Sequence, residues 1–155
     1  MMELGIFELL KGKIAPEGIE FKDDKFSPFI KVSPANIQKV AQFLFEQPEL
    51  DFKSLMCLSG VDNKDNFVVV YHLFSMKHGH KITLKIETPK DCPSVPTVEN
   101  IWQGANWLER EVFDLFGINF EGHSNLVRIM MPDDWVGHPL RKDYQYPSTY
   151  NGNPV

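Results

Sequence analysis

The sequence predicts an α+β fold: a mostly antiparallel sheet packed with helices, followed by an extended C-terminal docking tail. Three patterns predict it. Apolar residues recur at helical spacing near the N-terminus, after Ser33-Pro34 and again up to Gly117. Between the second and third stretches, two apolar runs flank a short turn, the mark of an antiparallel hairpin. Beyond the third, about forty residues hold few long periodic runs and many turn formers. The division expected is an α+β domain over 1–131 and an extended tail over 132–155.

Taken in order, Leu4, Ile6, Phe7, Leu9 and Leu10 predict a short helix over Glu3 to Leu10, ended near Gly12. Gly18 to Phe21 and Phe29 to Val32 read as strands around a polar turn at Asp23-Asp24-Lys25. Ser33 suits an N-cap and Pro34 the first helical position. Ile37, Val40, Ala41 and Leu44 then continue at helical spacing until Pro48. Phe67 to Phe74 is apolar on both faces, as a central strand is, with His72 expected as a satisfied core histidine. Ile82, Leu84 and Ile86 alternate with Lys81, Thr83, Lys85 and Glu87, the pattern of a half-exposed strand. Met76 to His80 is the turn between them, and His78 and His80 belong to its surface. A loop carrying Pro89, Pro93 and Pro96 leads to a helix from about Val98 to Phe116, with a break at Gly104 and Gly117 in the favoured C-terminal position.

Composition narrows the function classes. The 155 residues suit one domain, and 43% hydrophobic residues are enough for a core. A net charge of -5 argues against general nucleic-acid binding. Cys57 and Cys92 are far apart and read as two buried thiols, too few to ligate an iron–sulfur cluster. No window approaches the ~20 apolar residues of a membrane span. The N-terminus lacks a basic segment and an apolar stretch ahead of a cleavage site, so the chain is expected to stay where it is made. No glycine-rich nucleotide loop and no metal-ligand spacing is present. No catalytic, cofactor-binding or metal-binding residue is expected, and no cofactor bound by this chain.

The informative element is the helix around Trp107 to Phe116. On a wheel of about 100° per residue, Leu108, Val112, Leu115 and Phe116 form an apolar arc, which Trp107 and Phe113 widen. Arg110 and Asp114 share the polar face and can pair at i, i+4. Glu109 falls between Phe113 and Phe116, and Glu111 between Trp107 and Leu115, so each should be at least partly desolvated. A desolvated carboxylate needs a cation or a hydrogen-bond donor. Arg128 is the first candidate within the chain and Arg141 the second; a partner on another chain is the alternative. Glu109 and Glu111 lie about 160° apart on the wheel, which argues against a shared acid/base role.

The run Trp107-Leu108-Glu109-Arg110-Glu111-Val112-Phe113-Asp114-Leu115-Phe116-Gly117-Ile118 resembles the signature of the 30-kilodalton subunit family of respiratory complex I. So do Phe120-Glu121-Gly122-His123 with Leu126 to Pro132, and Asp134 to Tyr144; together the three motifs cover about residues 93 to 146. One departure is Ser124, where the family commonly has Pro, which is expected to loosen that loop. The resemblance implies a non-redox subunit of the peripheral arm of a proton-translocating NADH:quinone oxidoreductase. Such a subunit supports assembly and electron transfer from NADH through iron–sulfur clusters to quinone. It packs against the large quinone-site subunit and the iron–sulfur subunits, at the cytoplasmic face of the cell membrane. The alternative within the resemblance is the equivalent subunit of a related membrane-bound hydrogenase or ferredoxin-driven oxidoreductase.

Composition points the tail the same way. His138, Arg141, Asp143 and Tyr144 sit on a backbone stiffened by Pro139, a mixture suited to docking. Glu109, Arg110, Glu111, Asp114 and Arg128 complete the residues expected to form contacts between subunits or structural ion pairs. His123 and His138 are expected to hydrogen-bond, Trp102 and Trp107 to anchor a core or interface, and Trp135 to cap the tail.

Overall fold

The computed structural model describes residues 2–14, 17–24 and 27–154. Helix α1 (Met2–Lys13) precedes strands β1 (Ile19–Lys22) and β2 (Phe29–Val32), a 3-10 turn at Pro34–Asn36 and helix α2 (Ile37–Glu46). Strands β3 (Ser54–Asp62), β4 (Asn66–Ser75) and β5 (His80–Pro89) follow, then β6 (Ser94–Pro96), helix α3 (Ala105–Phe116) and β7 (Asn119–Glu121). A last pair, β8 (Thr149–Tyr150) and β9 (Asn153–Pro154), lies near the C-terminus. The main sheet runs β1-β2-β5-β4-β3, antiparallel except where β2 meets β5. The fold is therefore the α+β class that the sequence predicts.

The hairpin is the backbone of this sheet. β4 and β5 pair from Asn66↔Pro89 to Ser75↔His80 without a register break. Ile82, Leu84 and Ile86 turn inward beside Val69, Tyr71 and Leu73. α2 lays Ile37, Val40, Ala41 and Leu44 into the same core, each fully buried. A fully buried aliphatic or aromatic side chain of this kind contributes roughly 1.5–3 kcal/mol.

The structure departs from the sequence pattern at particular places. Ser33 is extended and makes no side-chain cap, so Pro34 opens a 3-10 turn and the α-helix starts at Ile37. His72 is exposed on β4 and bonds Thr83 rather than the core. Cys57 is only half-buried and Cys92 is exposed, so neither is a core thiol. The segment from Val98 to Gly104 is a chain of turns, and α3 begins only at Ala105. Lys25 lies outside the described residues.

The largest unanticipated element is β3. Its buried and exposed positions do not alternate, because the ladder to β4 shifts register between Leu55 and Cys57. Gly60 within it lets α3 approach: a Cβ there would lie 2.7 Å from the Phe116 ring and 3.1 Å from Val112. That contact seats α3 on the sheet. Trp102 anchors the turn ahead of α3, its indole N–H donating to the Phe52 carbonyl at 3.0 Å.

Candidate functional site

α3 organises everything after β5, and it does so with buried carboxylates. Asp114 is fully buried. One carboxylate oxygen accepts from the Arg128 guanidinium at 2.7 Å. The other accepts the backbone N–H groups of Ile129, Met130 and Met131 at 3.0, 2.7 and 2.9 Å. Burial alone would raise its pKa, but the donated N–H groups and Arg128 outweigh burial and hold the carboxyl below its ordinary value. The expected Arg110–Asp114 pair does not form, because residues 128–131 fold over Asp114 and take it off the polar face. Arg110 instead donates to the carbonyls of Val127 at 3.1 Å and Arg128 at 3.4 Å. Its guanidinium lies 4.9 Å from the centre of the Trp107 ring.

Glu109 and Glu111 have separate fates. Glu109 is fully buried and accepts the Val98 N–H at 2.8 Å and the Thr97 hydroxyl at 2.5 Å. Burial, helped by the nearby charge of Glu99, pushes its carboxyl up to about 7 against those two hydrogen bonds. Glu111 is exposed, which corrects the expectation of desolvation: Trp107 beside it is itself 63% exposed, so that flank is open. Arg128 serves Asp114 and makes no ion pair with either glutamate among the described residues.

A third carboxylate, not anticipated, is Glu99. It accepts the Ser124 N–H at 2.6 Å, the Ser124 hydroxyl at 3.2 Å and the Asn106 amide at 2.6 Å. A proline at 124 would have no N–H to give. Ser124 therefore ties its loop to Glu99 rather than loosening it. The His123 imidazole is buried beside it. Its Nδ1 accepts the Asn125 N–H at 3.0 Å, so Nε2 carries the proton and donates to the Asn106 carbonyl at 3.1 Å.

The tail segment from His138 to Lys142 completes α3. The last carbonyls of a helix lack intrahelical donors. Here Asp114 O accepts from His138 Nδ1 at 2.9 Å, Leu115 O from the Leu140 N–H at 3.0 Å, and Phe116 O from Arg141 Nε at 2.6 Å. Gly117 makes this possible. Its φ of 70° is left-handed, and a Cβ there would lie 2.5 Å from both His138 and Arg141. Burial, followed by the charges of Arg141 and Arg128, keeps the His138 pKa below its ordinary value against the bond to Asp114 O, so the neutral ring donates.

Further clamps hold the tail to the domain. Arg128 donates to Gly137 O at 3.0 Å, and the Lys142 N–H to Asp62 at 2.8 Å. Asp62 is paired in turn with Lys90 at 2.5 Å. Tyr144 donates to Val136 O at 3.0 Å, whereas Asp143 is exposed. Trp135 packs on Tyr150, ring centres 5.1 Å apart. Nothing periodic in the sequence marks Glu99, Asp62 or Lys90, because each bonds a segment distant in the chain.

With the buried polar groups so used, the outside of this half carries large apolar side chains. Val136 is 85% exposed, Trp107 63%, Met130 60% and Leu140 51%. Large apolar and aromatic side chains are the types that protein interfaces bury. Among the described residues no group of three or more His, Cys, Asp or Glu is placed to hold a metal ion. No described helix is long and apolar enough to cross a membrane.

Comparison with known proteins gives a consistent result. The family described as "Respiratory-chain NADH dehydrogenase, 30 Kd subunit" matches residues 30–150. The C subunit of NADH-quinone oxidoreductase from Roseiflexus castenholzii is 50% identical over 117 residues, which is 74% of this chain and 67% of that protein. The C subunit from Chlorobium phaeobacteroides is 37% identical over 98% of this chain and 94% of its own length. The C/D subunit of NADH-quinone oxidoreductase from Acinetobacter baumannii is 40% identical over 132 residues, 22% of its length. Among solved structures, the trypsin-resistant fragment (1-134) of Nqo5 is similar at a TM-score of 0.64 and 28% identity, over 78% of this chain and 99% of that one. A chain of an archaeal membrane-bound sulfane sulfur reductase is similar at a TM-score of 0.74 and 25% identity, over 93% and 85% respectively.

Proposed function

The chain belongs to the 30 kDa subunit family of the respiratory-chain NADH dehydrogenase, and on that premise we propose that it is a non-redox peripheral-arm subunit of an NADH:quinone oxidoreductase. Its work is assembly, and through assembly the passage of electrons from NADH through iron–sulfur clusters to quinone. The observation that carries this reading is the division of labour on α3. Its two buried carboxylates, Glu109 and Asp114, fold the chain's own second half. The Trp107–Arg110 stack and the apolar side chains around the tail face outward. That is a contact surface rather than a reaction centre.

The neighbour proposed is the large quinone-site subunit, with the iron–sulfur subunits nearby. The C/D relative supports the first, since its name joins the C and D subunits in one chain. The position proposed is peripheral, on the cytoplasmic face of the membrane. The chain itself binds no cofactor in this reading. A second reading, the equivalent subunit of a related membrane-bound complex with another electron donor, draws on the likeness to the sulfane sulfur reductase. The NADH-quinone oxidoreductase relatives at higher identity favour the first.

Affinity purification of the native complex through a tag on this chain tests the proposal. The expected result is co-purification of a large quinone-site subunit and iron–sulfur subunits with NADH:quinone activity. Recovery of a complex that reduces no quinone from NADH overturns the donor. Recovery of the chain alone, with membranes gently solubilised, overturns the assembly role.

A further inference from the structure

Beneath the first turns of α3 lies a pocket of ionisable groups that the contact surface does not use. Four elements supply it. Glu109 comes from α3, Glu99 from the turn after β6, His123 from the turn after β7, and Tyr71 from β4. The Glu109 and Tyr71 residues and the imidazole of His123 are fully buried, and Glu99 is 9% exposed. His123 Nε2 stands 3.5 Å from Glu99 Oε2 and 3.9 Å from Glu109 Oε2. The Tyr71 hydroxyl is buried with no hydrogen-bond partner among the described residues, and burial and the charge of Glu109 push its ionisation well above the ordinary range. Among the described residues, no lysine or arginine forms an ion pair with either carboxylate.

Two carboxylates beside one imidazole, without a fixed cation, cannot both stay charged at low cost. Donor counts decide which one takes the proton. Glu99 receives three donors, from Asn106 and from the N–H and hydroxyl of Ser124. Glu109 receives two, from Val98 and Thr97, and has no exposure at all. His123 is already committed: Nδ1 accepts and Nε2 donates to a carbonyl. The proton therefore belongs to Glu109.

We propose that Glu109, Glu99 and His123 form a one-proton binding site, loaded on Glu109, that couples protonation to the seating of residues 97–125 on α3. The three groups fasten those residues: Glu109 holds the 97–98 turn, Glu99 holds Ser124, and His123 ties the loop after β7 to Asn106. Losing the proton places two negative charges in one dry pocket, and their desolvation and mutual repulsion oppose the seating of these residues.

The direction of the pH effect follows. The ordinary value for glutamate is 4.5, and burial raises Glu109 to about 7. Between these values the folded chain holds a proton that the unfolded chain has released. The stabilisation is complete below the lower value and is lost as pH rises through the upper one. Across that window the unfolding constant rises by up to about tenfold per pH unit from this group, and above it the contribution is level.

The experiment is denaturant unfolding of the full chain from about pH 4.5 to about pH 8, for wild type and Glu109→Gln. The amide keeps the shape and cannot titrate. The expected result is a fall in wild-type stability across the window, with the difference between the two proteins carrying the slope. Equal slopes, or no slope in the wild type, overturn the site. If Glu109→Gln does not fold, carboxyl-13C-glutamate NMR of the wild type decides. One glutamate with a midpoint near neutral supports the proposal, and all glutamates titrating in the ordinary range overturn it.

Discussion

The two halves of the chain are held together by different physics. From α1 to β5 the structure rests on apolar burial, with Ile30, Leu44, Phe52, Leu73 and Leu84 all fully enclosed. After β5 the strands are short, and the structure leans on a few buried anions that gather backbone N–H groups from distant segments. The first kind of order is spread over many contacts, so one lost methylene removes only its own share of the packing, about 1 kcal/mol. The second is concentrated, so loss of one carboxylate leaves several donors unpaired in a dry site. The C-terminal half should therefore respond sharply to polar substitutions, and the N-terminal half to changes of volume.

The widest gap between the halves is expected at Asp114. Asp114→Ala strips partners from Arg128 and from three backbone N–H groups at once. Breaking a buried pair in this way costs about 3–5 kcal/mol. Denaturant unfolding should show that loss, and proteolysis should begin at residues 128–131 while the main sheet stays resistant. A loss no larger than about 0.5 kcal/mol would mean that the segment is held by something other than the carboxylate.

Truncation before His138 comes next. It removes three donors from the C-terminal carbonyls of α3 and the Lys142 N–H from Asp62. At about 0.5–1.5 kcal/mol for each of the four hydrogen bonds, the loss is about 2–6 kcal/mol. The chain should still fold, because the core of the main sheet is untouched, and circular dichroism melting checks this. A truncated chain as stable as the full one would make the tail a passenger on α3.

How much of this is legible in the sequence follows the same division. α2, the β4–β5 hairpin and the αL position of Gly117 are readable, because periodicity and turn chemistry are local properties. β3 is not, since its register shift and Gly60 erase the alternation that marks a strand. The Trp107 to Phe116 helix is evident from its spacing, yet a wheel misplaces its polar face. A wheel sees one helix and cannot see residues 128–131 closing over Asp114. The desolvation of Glu109 is readable, while its donors, Thr97 and Val98, lie on a turn that resembles a helix in sequence. The tail reads as a docking strap, and part of it docks on its own helix: His138, Leu140 and Arg141 cap α3.

The smallest effect on folding, and the most telling for function, is expected on the outward face of α3. Trp107 is 63% exposed and makes a stack with Arg110, whose guanidinium is fixed by two backbone carbonyls. Glu111 is exposed one position further on. Neither Trp107→Ala nor Glu111→Gln opens a cavity or strands a buried donor, so each should change the stability of the isolated chain by no more than about 0.5 kcal/mol. Assembly should separate them. An exposed tryptophan beside a pre-positioned arginine loses little side-chain entropy on binding, and residues of these types dominate interface energies, at about 2 kcal/mol or more for a central position. Trp107→Ala should therefore lower incorporation into the membrane complex several-fold at unchanged melting temperature, and Glu111→Gln much less. Native-gel quantification in cells lacking the wild-type copy reads both. If Trp107→Ala melts early, Trp107 belongs to the fold after all. If it melts normally and assembles fully, the contact surface has to be sought around Val136 and Leu140 on the tail.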